Sequence, residues 1–173
     1  NLTEAVGSKS VDTVIFSATA ANGNDVITGF TVGTDKIVLD ISDIQAIGAN
    51  VLSDGAGAQA TALTAVVIDE ITTGEDYTLG TGDSVFRLSG TFANVAAVET
   101  GILANMQEGA TAANDIYTLI WNDGTNAHIS VVDIDTIDGS TEVDAVDVHD
   151  MLVLMGVDHT TLTATDFNGA YVA

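Results

Sequence analysis

The stretch Asn22-Gly23-Asn24-Asp25-Val26-Ile27-Thr28-Gly29-Phe30 is followed at once by Gly33-Thr34-Asp35-Lys36-Ile37-Val38-Leu39-Asp40. In both, a turn of Gly, Asn, Thr and Asp residues precedes a short run rich in β-branched side chains, which is the pattern of a strand bounded by turns. These stretches favour a mainly β fold. The turns also crowd carboxylate and carbonyl oxygens together, and oxygen ligands on tight turns suit Ca²⁺.

Further strands are predicted where short apolar runs meet turn residues, at 13–16, 63–71, 84–88, 115–121, 127–132 and 151–155. The turn Asn122-Asp123-Gly124-Thr125-Asn126 separates two of these runs. Asp-Gly between apolar runs is a strong β-hairpin signal, so the register of this hairpin is predicted to be well defined.

One segment has helical rather than strand periodicity. Between Phe92 and Met106, apolar residues recur at spacings of three and four, with Glu99 as the polar exception on that face. Thr91 is a suitable N-cap. We therefore predict a mainly β fold, either a β-sandwich or a short β-solenoid-like stack of sheets, with one amphipathic helix at about 91–107 packed on a sheet.

The length of 173 residues fits a single β-rich domain, 1–173, with halves at 1–90 and 91–173 as an alternative division. A compact chain of this size buries about 70% of its extended surface. Hydrophobic residues make up 46% of the chain and aromatic residues only 5%, so the core is expected to consist of small branched side chains.

The charge balance is strongly acidic. Lys9, Lys36 and Arg87 stand against 25 Asp and Glu residues, which gives a formal net charge of −22. A field of this sign repels phosphate backbones and anionic membranes, so we expect no nucleic-acid partner. No apolar run reaches the roughly 18 residues of a transmembrane helix, so no membrane insertion is expected. Cations are the natural partners of such a chain.

Two groups of carboxylates and amides are candidate calcium ligands. The first group comes from the opening turns: Asp12, Asn24, Asp25 and Asp35. The second comes from the hairpin turn and the acidic stretch after it: Asp123, Asp133, Asp135, Asp138 and Asp144. The acidic stretch differs from an EF-hand loop because its glycine arrives one position late and no amphipathic helices flank it. A generic calcium loop is predicted instead; the alternative is that these side chains only satisfy turn backbone groups or face solvent.

Catalytic patterns are not evident in the sequence. The chain has no cysteine, and its histidines, His128, His149 and His159, do not have the spacing of a zinc motif. No serine lies in a nucleophile-elbow pattern and no glycine-rich phosphate loop precedes a helix. We expect a protein that is not an enzyme.

Motifs at both ends of the chain resemble the C-terminal region of secreted repeats-in-toxin (RTX) proteins. The motifs are Asp12–Phe16, Asn24–Phe30, Gly33–Ile37 and the closing run Asp150–Phe167. The resemblance implies calcium β-roll structure and export by type I secretion machinery, which reads an uncleaved C-terminal signal. The residues here that match such a tail are Asp166, Phe167, Tyr171 and Val172.

The same family includes surface-layer subunits, large adhesins and the non-catalytic ends of secreted enzymes. We therefore predict an extracellular, calcium-stabilised structural protein at the cell surface, which forms a homo-oligomer or polymer through edge strands, as a surface layer or filament. One alternative is a non-catalytic calcium-binding C-terminal module, with a type I secretion signal, of a larger secreted enzyme or adhesin. Another is a glycan-binding β-sandwich with sugar-stacking residues Trp121, Tyr117, Tyr77 and Tyr171.

Overall fold

The computed structural model describes residues 10–16, 25–39, 51–52, 67–74, 77–78, 85–107, 115–136 and 145–167. These residues form a mainly β structure, and the prediction of that fold class is confirmed. The strands are β1 (Thr13–Phe16), β2 (Asp25–Thr28), β3 (Lys36–Leu39), β4 (Val51–Leu52), β5 (Ile68–Ile71), β6 (Tyr77–Thr78), β7 (Val85–Leu88), β8 (Met106–Gln107), β9 (Asp115–Asn122), β10 (Ala127–Thr136) and β11 (Ala145–Met155). One α-helix, α1 (Val95–Asn105), and the 3₁₀ turns His159–Thr161 and Ala164–Asp166 complete the described part of the chain.

A mixed sheet forms the centre of the molecule, with strand order β2-β11-β10-β9-β7-β5 and with β4 also paired to β9. β10 pairs antiparallel with both of its neighbours, whereas all other pairs in this sheet are parallel. Consequently β2 and β5, which end the strand order on opposite sides, run in the same direction.

Two small parallel pairs lie outside the main sheet, β1 with β3 and β6 with β8. The chain therefore alternates between sheets: β1 and β3 pair with each other while β2, between them in sequence, joins the main sheet. β5, β6 and β7 alternate in the same way. Winding of this kind resembles the coils of a β-solenoid, although the antiparallel β9-β10-β11 strands and the helix depart from one.

Both faces of the main sheet are buried. On one face Ile120, Ile129 and Leu152 pack beneath Phe30, Ile37, Val157, Leu162 and Phe167, which come from the β2-β3 region and the C-terminal segment. On the other face a second cluster gathers sheet residues with the apolar side of α1: Phe86, Tyr117, Leu119, Trp121, Val98, Ile102 and Met106. A strand with two buried faces has a nearly continuous apolar sequence, as Ile116–Trp121 does apart from Thr118.

The helix begins later than predicted. Its N-cap is Asn94, whose side chain accepts a hydrogen bond from the Ala97 backbone N–H at 3.0 Å, so the assignment of Thr91 was wrong. The backbone N–H of Phe92 instead donates to Asn122 O in the hairpin at 2.9 Å. A side chain at Gly101 would place its Cβ 2.8 Å from the Phe92 ring, so the helix can pack beside that ring only because residue 101 is glycine.

The hairpin is confirmed, and its strands extend beyond the predicted limits. β10 continues through Asp133 to Thr136, and β11 begins at Ala145 rather than at Met151. The prediction that the acidic stretch is a loop from Asp133 onward was therefore wrong at its start. Val132 and Ile134 alternate with the acidic residues and pack into the helix-side core, which favours strand pairing over a turn.

Strands from both proposed halves share the main sheet. β2 pairs with β11, and β7 pairs with β9. The β7-α1-β9 segment is a parallel strand-helix-strand unit that joins residues on either side of position 90.

Candidate functional site

Asp12 and Asp35 lie next to each other, joined through the backbone N–H of Asp12. The buried carboxylate of Asp35 accepts hydrogen bonds from the backbone N–H of Asp12 at 3.1 Å and of Thr31 at 2.7 Å. The backbone N–H of Lys36 donates to Asp12 O at 2.8 Å. Both Asp35 oxygens thus hold the β2-β3 turn against the start of β1, which is the alternative stated for these residues.

The remaining predicted ligands are spread over the fold. Asp25 is the exposed first residue of β2, whereas Asp133 is buried in β10 beside Ile116 of β9. Of Asp135 the backbone alone is described. Asn24, Asp138 and Asp144 lie outside the described residues. Within the described ranges, no three histidine, cysteine, aspartate or glutamate side chains gather closely enough to hold a metal ion. A calcium role for these residues stays a prediction.

A polar network lies beneath the β9-β10 turn and is the most developed cluster of functional groups in the described structure. His128 of β10 has its Nδ1 2.7 Å from Asp150 Oδ2 and its Nε2 3.2 Å from Asp123 Oδ2. The imidazole stacks on Trp121, with ring centroids 3.8 Å apart. Trp121 Nε1 donates to Ser130 Oγ at 2.8 Å, and Ser130 Oγ donates to Asp150 Oδ1 at 3.1 Å.

The strand register builds this network. Trp121 lies directly opposite His128 across the hairpin, and Ser130 is paired with Asp150 of β11. A register shift between Ile129 and Ser130 marks an irregularity in the β10-β11 pairing next to this position. The cluster therefore joins the hairpin turn to β11.

The carboxylates determine the charge of His128. Burial alone lowers the pKa of His128, but the hydrogen bond and negative charge of Asp150, followed by those of Asp123, outweigh burial and raise this pKa above 6.5. For Asp123, burial raises the pKa, whereas hydrogen bonds from Asn126, Thr125 and His128 together hold it far below its ordinary value. The two carboxylates therefore favour the protonated form of His128.

Asp123 also closes the turn. Its Oδ1 accepts hydrogen bonds from the backbone N–H groups of Thr125 and Asn126, both at 2.7 Å, and its Oδ2 accepts from Asn126 Nδ2 at 2.9 Å. Asn126 Oδ1 in turn accepts from the backbone N–H of Gly156 at 3.0 Å. Asp123 therefore holds the hairpin turn in its observed conformation.

A second histidine has a different environment. His159 is 6% exposed, and neither of its ring nitrogens has a hydrogen-bond partner among the described residues, although Nδ1 lies 3.5 Å from Asp158 Oδ1. Burial lowers the pKa of His159, and the positive charge of Arg87 acts in the same direction against the opposing effect of Asp158. His159 is therefore a neutral core histidine.

The predicted secretion-tail residues Asp166 and Phe167 lie within the fold. The buried Asp166 carboxylate accepts hydrogen bonds from Gly33 N at 2.5 Å and from the Thr163 N–H at 2.8 Å. Phe167 is buried and forms a parallel bridge with Ile37 of β3. Tyr171 and Val172 are outside the described residues. A signal role for these positions stays a prediction.

Two of the residues proposed to stack on a glycan are buried. Trp121 is 2% exposed and Tyr117 is 1% exposed, and both pack in the core beneath α1. Neither ring offers a face to a sugar, so this part of the prediction was wrong. The side chain of Tyr77 and all of Tyr171 are outside the described part of the chain.

The ends of the main sheet form the other distinctive surface. Among the described strands, β2 has β11 as its neighbour and β5 has β7, with no strand beyond either one. Val26 of β2 is 56% exposed, and Val67, which leads into β5, is 48% exposed. Each end therefore combines a strand edge with an exposed apolar side chain.

Comparison with protein-family models, curated proteins and solved structures finds no match to this chain. No helix in the described ranges is long and apolar enough to span a membrane. The interpretation of function therefore depends on the chain's own residues.

The sequence analysis did not predict the His128 network, although the predicted hairpin implied one of its contacts. A hairpin with the turn 122–126 places Trp121 opposite His128, so their contact followed from the predicted register. Asp150 carried no comparable local signal, because its place depends on the pairing of β11 with β10.

Proposed function

We propose that this protein is an extracellular structural subunit that assembles with copies of itself through the edges of its main sheet. The observation that supports this most is that β2 and β5 end the described sheet without a neighbouring strand, each beside an exposed valine. An edge strand presents backbone donors and acceptors to solvent and is a template for pairing with another chain.

The composition of these edges supports assembly. Soluble proteins protect edge strands with lysine, proline or bulges. The sequences of β2, Asp-Val-Ile-Thr, and β5, Ile-Asp-Glu-Ile, contain neither lysine nor proline. The whole chain contains no proline. The acidic side chains of these strands repel another copy, and cations in solution weaken that repulsion.

Calcium and the extracellular location belong to the same proposal. A net charge of −22 disfavours close approach of two copies, and divalent cations reduce such repulsion. Calcium is scarce in the cytosol and abundant outside the cell, so assembly that depends on it would be confined to the exterior. Calcium dependence is therefore a property to be measured.

The test is sedimentation velocity and negative-stain imaging of the wild-type chain across a concentration series, with calcium or with chelator. Species larger than the 17.7 kDa monomer are expected, and more of them with calcium. Val26→Asp, which adds a carboxylate to the β2 edge, is expected to reduce assembly. The matched control Ala96→Asp carries the same charge change on the exposed side of α1 near its N-terminus, where an acid is tolerated. A wild-type chain that stays monomeric throughout, with and without calcium, contradicts the proposal.

A further inference from the structure

From the position of His159 between the main sheet and the segment that covers it, we propose that mild acid releases residues 157–167 from the sheet while the sheet itself stays folded. These residues, called the C-terminal segment, then act as an acid-sensitive cover over one face of the sheet. A single copy of the chain suffices for this release, so it does not depend on the proposed self-assembly.

The C-terminal segment covers one of the two cores. Its side chains Val157, Leu162 and Phe167 are buried together with Phe30 and Ile37 against the main sheet. The core on the other face of the sheet is covered by α1 and contains no residue of the segment. Release of the segment therefore uncovers one face and leaves the packing of the helix intact.

The segment is joined to the rest of the fold differently from a strand. The backbone hydrogen bonds described for residues 157–167 run within the segment or to the end of β11. Its polar contacts with the β2-β3 region include a one-residue bridge between Phe167 and Ile37 and the bond from Gly33 N–H to the Asp166 carboxylate. β9, β10 and β11, in contrast, pair along most of their lengths. A unit held mainly by side chains can open before a paired sheet does.

His159 lies at the interface between the segment and the sheet. It is buried, and neither ring nitrogen has a hydrogen-bond partner among the described residues. Arg87 of β7 reaches the same interface: it lies opposite Ile120, which belongs to the core beneath the segment, and its Nη2 donates to Leu162 O within the segment. An imidazole and a guanidinium are therefore buried close together here.

Three charged side chains act on His159, namely Asp158 of the segment itself, Arg87 of β7 and Glu70 of β5. Burial has the largest effect and lowers the pKa of His159; Asp158 then raises it, Arg87 lowers it and Glu70 raises it, in decreasing order. Glu70 is itself paired with Arg87 at 3.3 Å. Protonation of the docked ring thus places a second positive charge in a buried interface, whereas a released ring is solvated by water.

The sign of the pH dependence follows from this difference. The contribution of His159 to docking is complete above its ordinary pKa of 6.5 and declines as pH falls toward the lowered folded-state pKa. Over that interval the released segment binds a proton that the docked segment resists. The ratio of released to docked segment therefore rises by up to about tenfold for each unit of pH.

Amide hydrogen exchange followed by NMR, in dilute protein with chelator, measures the release between about pH 7.5 and 5. Each rate is corrected for the intrinsic pH dependence of exchange. The Gly33 N–H reports docking because its acceptor is the Asp166 carboxylate of the segment, and the amides of β9 and β10 report the sheet. Protection at Gly33 is expected to fall by up to about tenfold per pH unit, while protection in β9 and β10 is retained.

Two matched variants identify the titrating group. His159→Gln keeps a polar side chain but cannot take up a proton, so the fall in protection at Gly33 is expected to disappear. His149→Gln makes the same change at a partly exposed ring of β11 that lies 3.5 Å from Asp147, and it is expected to behave as the wild type does. The chain has three histidines, so the ring signals of the wild type can be followed individually in the same samples.

Three results overturn the inference. Protection at Gly33 could stay constant down to pH 5, or it could be lost together with protection in β9 and β10, which would mean that the segment does not open separately. A fall in His159→Gln equal to that in the wild type would assign the effect to another group. If His159→Gln does not fold, the wild-type data decide, because loss of protection at Gly33 must follow the titration of the His159 ring.

Discussion

The centre of the main sheet and its edges differ in length, burial and polar chemistry. β9, β10 and β11 have eight, ten and eleven residues, whereas β2 and β5 have four residues each. The described side chains of β9 from Ile116 to Trp121 and of β10 from Ala127 to Ile134 are all buried, but Asp25, Val26 and Glu70 at the edges are exposed. The comparison teaches that the contacts that stabilise the fold are concentrated in the centre of the sheet, and that the edges contribute fewer of them.

The largest expected effect comes from removing a central side chain. Trp121→Ala deletes a buried ring that stacks on His128 and is expected to cost about 3–5 kcal/mol of unfolding free energy. Val26→Ala at the edge is the contrasting change and is expected to stay within about 0.5 kcal/mol. Urea unfolding followed by circular dichroism measures both. Equal losses for the two variants would remove the distinction between centre and edge.

A smaller loss is expected at the C-terminal segment. Asp166→Asn replaces one acceptor oxygen with an amide donor opposite the backbone N–H groups of Gly33 or Thr163. Leaving a buried donor without an acceptor costs about 1–3 kcal/mol. Asp25→Asn removes the same charge from an exposed edge position and is the control, measured in chelator so that metal effects do not enter. Matching denaturation midpoints would show that Asp166 does not hold the C-terminal segment to the sheet.

The helix that covers one face depends on its cap. Asn94→Ala removes the acceptor for the Ala97 N–H and is expected to lower the unfolding free energy by about 1 kcal/mol. Asn94→Ser keeps a capping oxygen and should retain most of that stability. The measurement is again urea unfolding, and an Asn94→Ala variant as stable as the wild type would show that the cap is dispensable.

The two buried histidines are expected to give opposite, smaller dependences of stability on pH. His128 has a raised pKa in the folded state, so its contribution is complete below 6.5 and declines as pH rises through the folded-state pKa. His159 has a lowered pKa, so its contribution is present above 6.5 and declines as pH falls through the folded-state value. His128→Gln should flatten the alkaline side of the stability profile, and His159→Gln the acid side. Unfolding measured from pH 5 to 9 checks both assignments; reversed assignments would contradict the electrostatic interpretation of these sites.

Sequence reasoning performed best where structure is local. The hairpin at 115–132 was predicted from its Asp-Gly turn, and β1 was predicted at its observed limits, because a strand and its turn are encoded by adjacent residues. The helix was located, but its start was placed at Thr91 because several nearby residues are acceptable caps. Asn94 is selected by contacts that hold Phe92 out of the helix.

The site was harder to predict because it depends on distant pairings. The Asp35 carboxylate accepts hydrogen bonds from the backbone groups of Asp12 and Thr31, which a local pattern does not reveal. Asp133 was assigned to a calcium loop because the acidic residues of that stretch are spaced as in calcium-binding loops. It lies in a strand because β9 and β11 flank that segment.

Thiol cross-linking between copies tests the edge-to-edge contact most directly. The chain has no cysteine, so Val26→Cys and Val67→Cys each introduce a single thiol, one at each edge. Under assembling conditions with a short bismaleimide, the account predicts covalent dimers with at least one of these variants or with their mixture. No cross-link in any of these samples, while the chains still assemble, would contradict assembly through these edges.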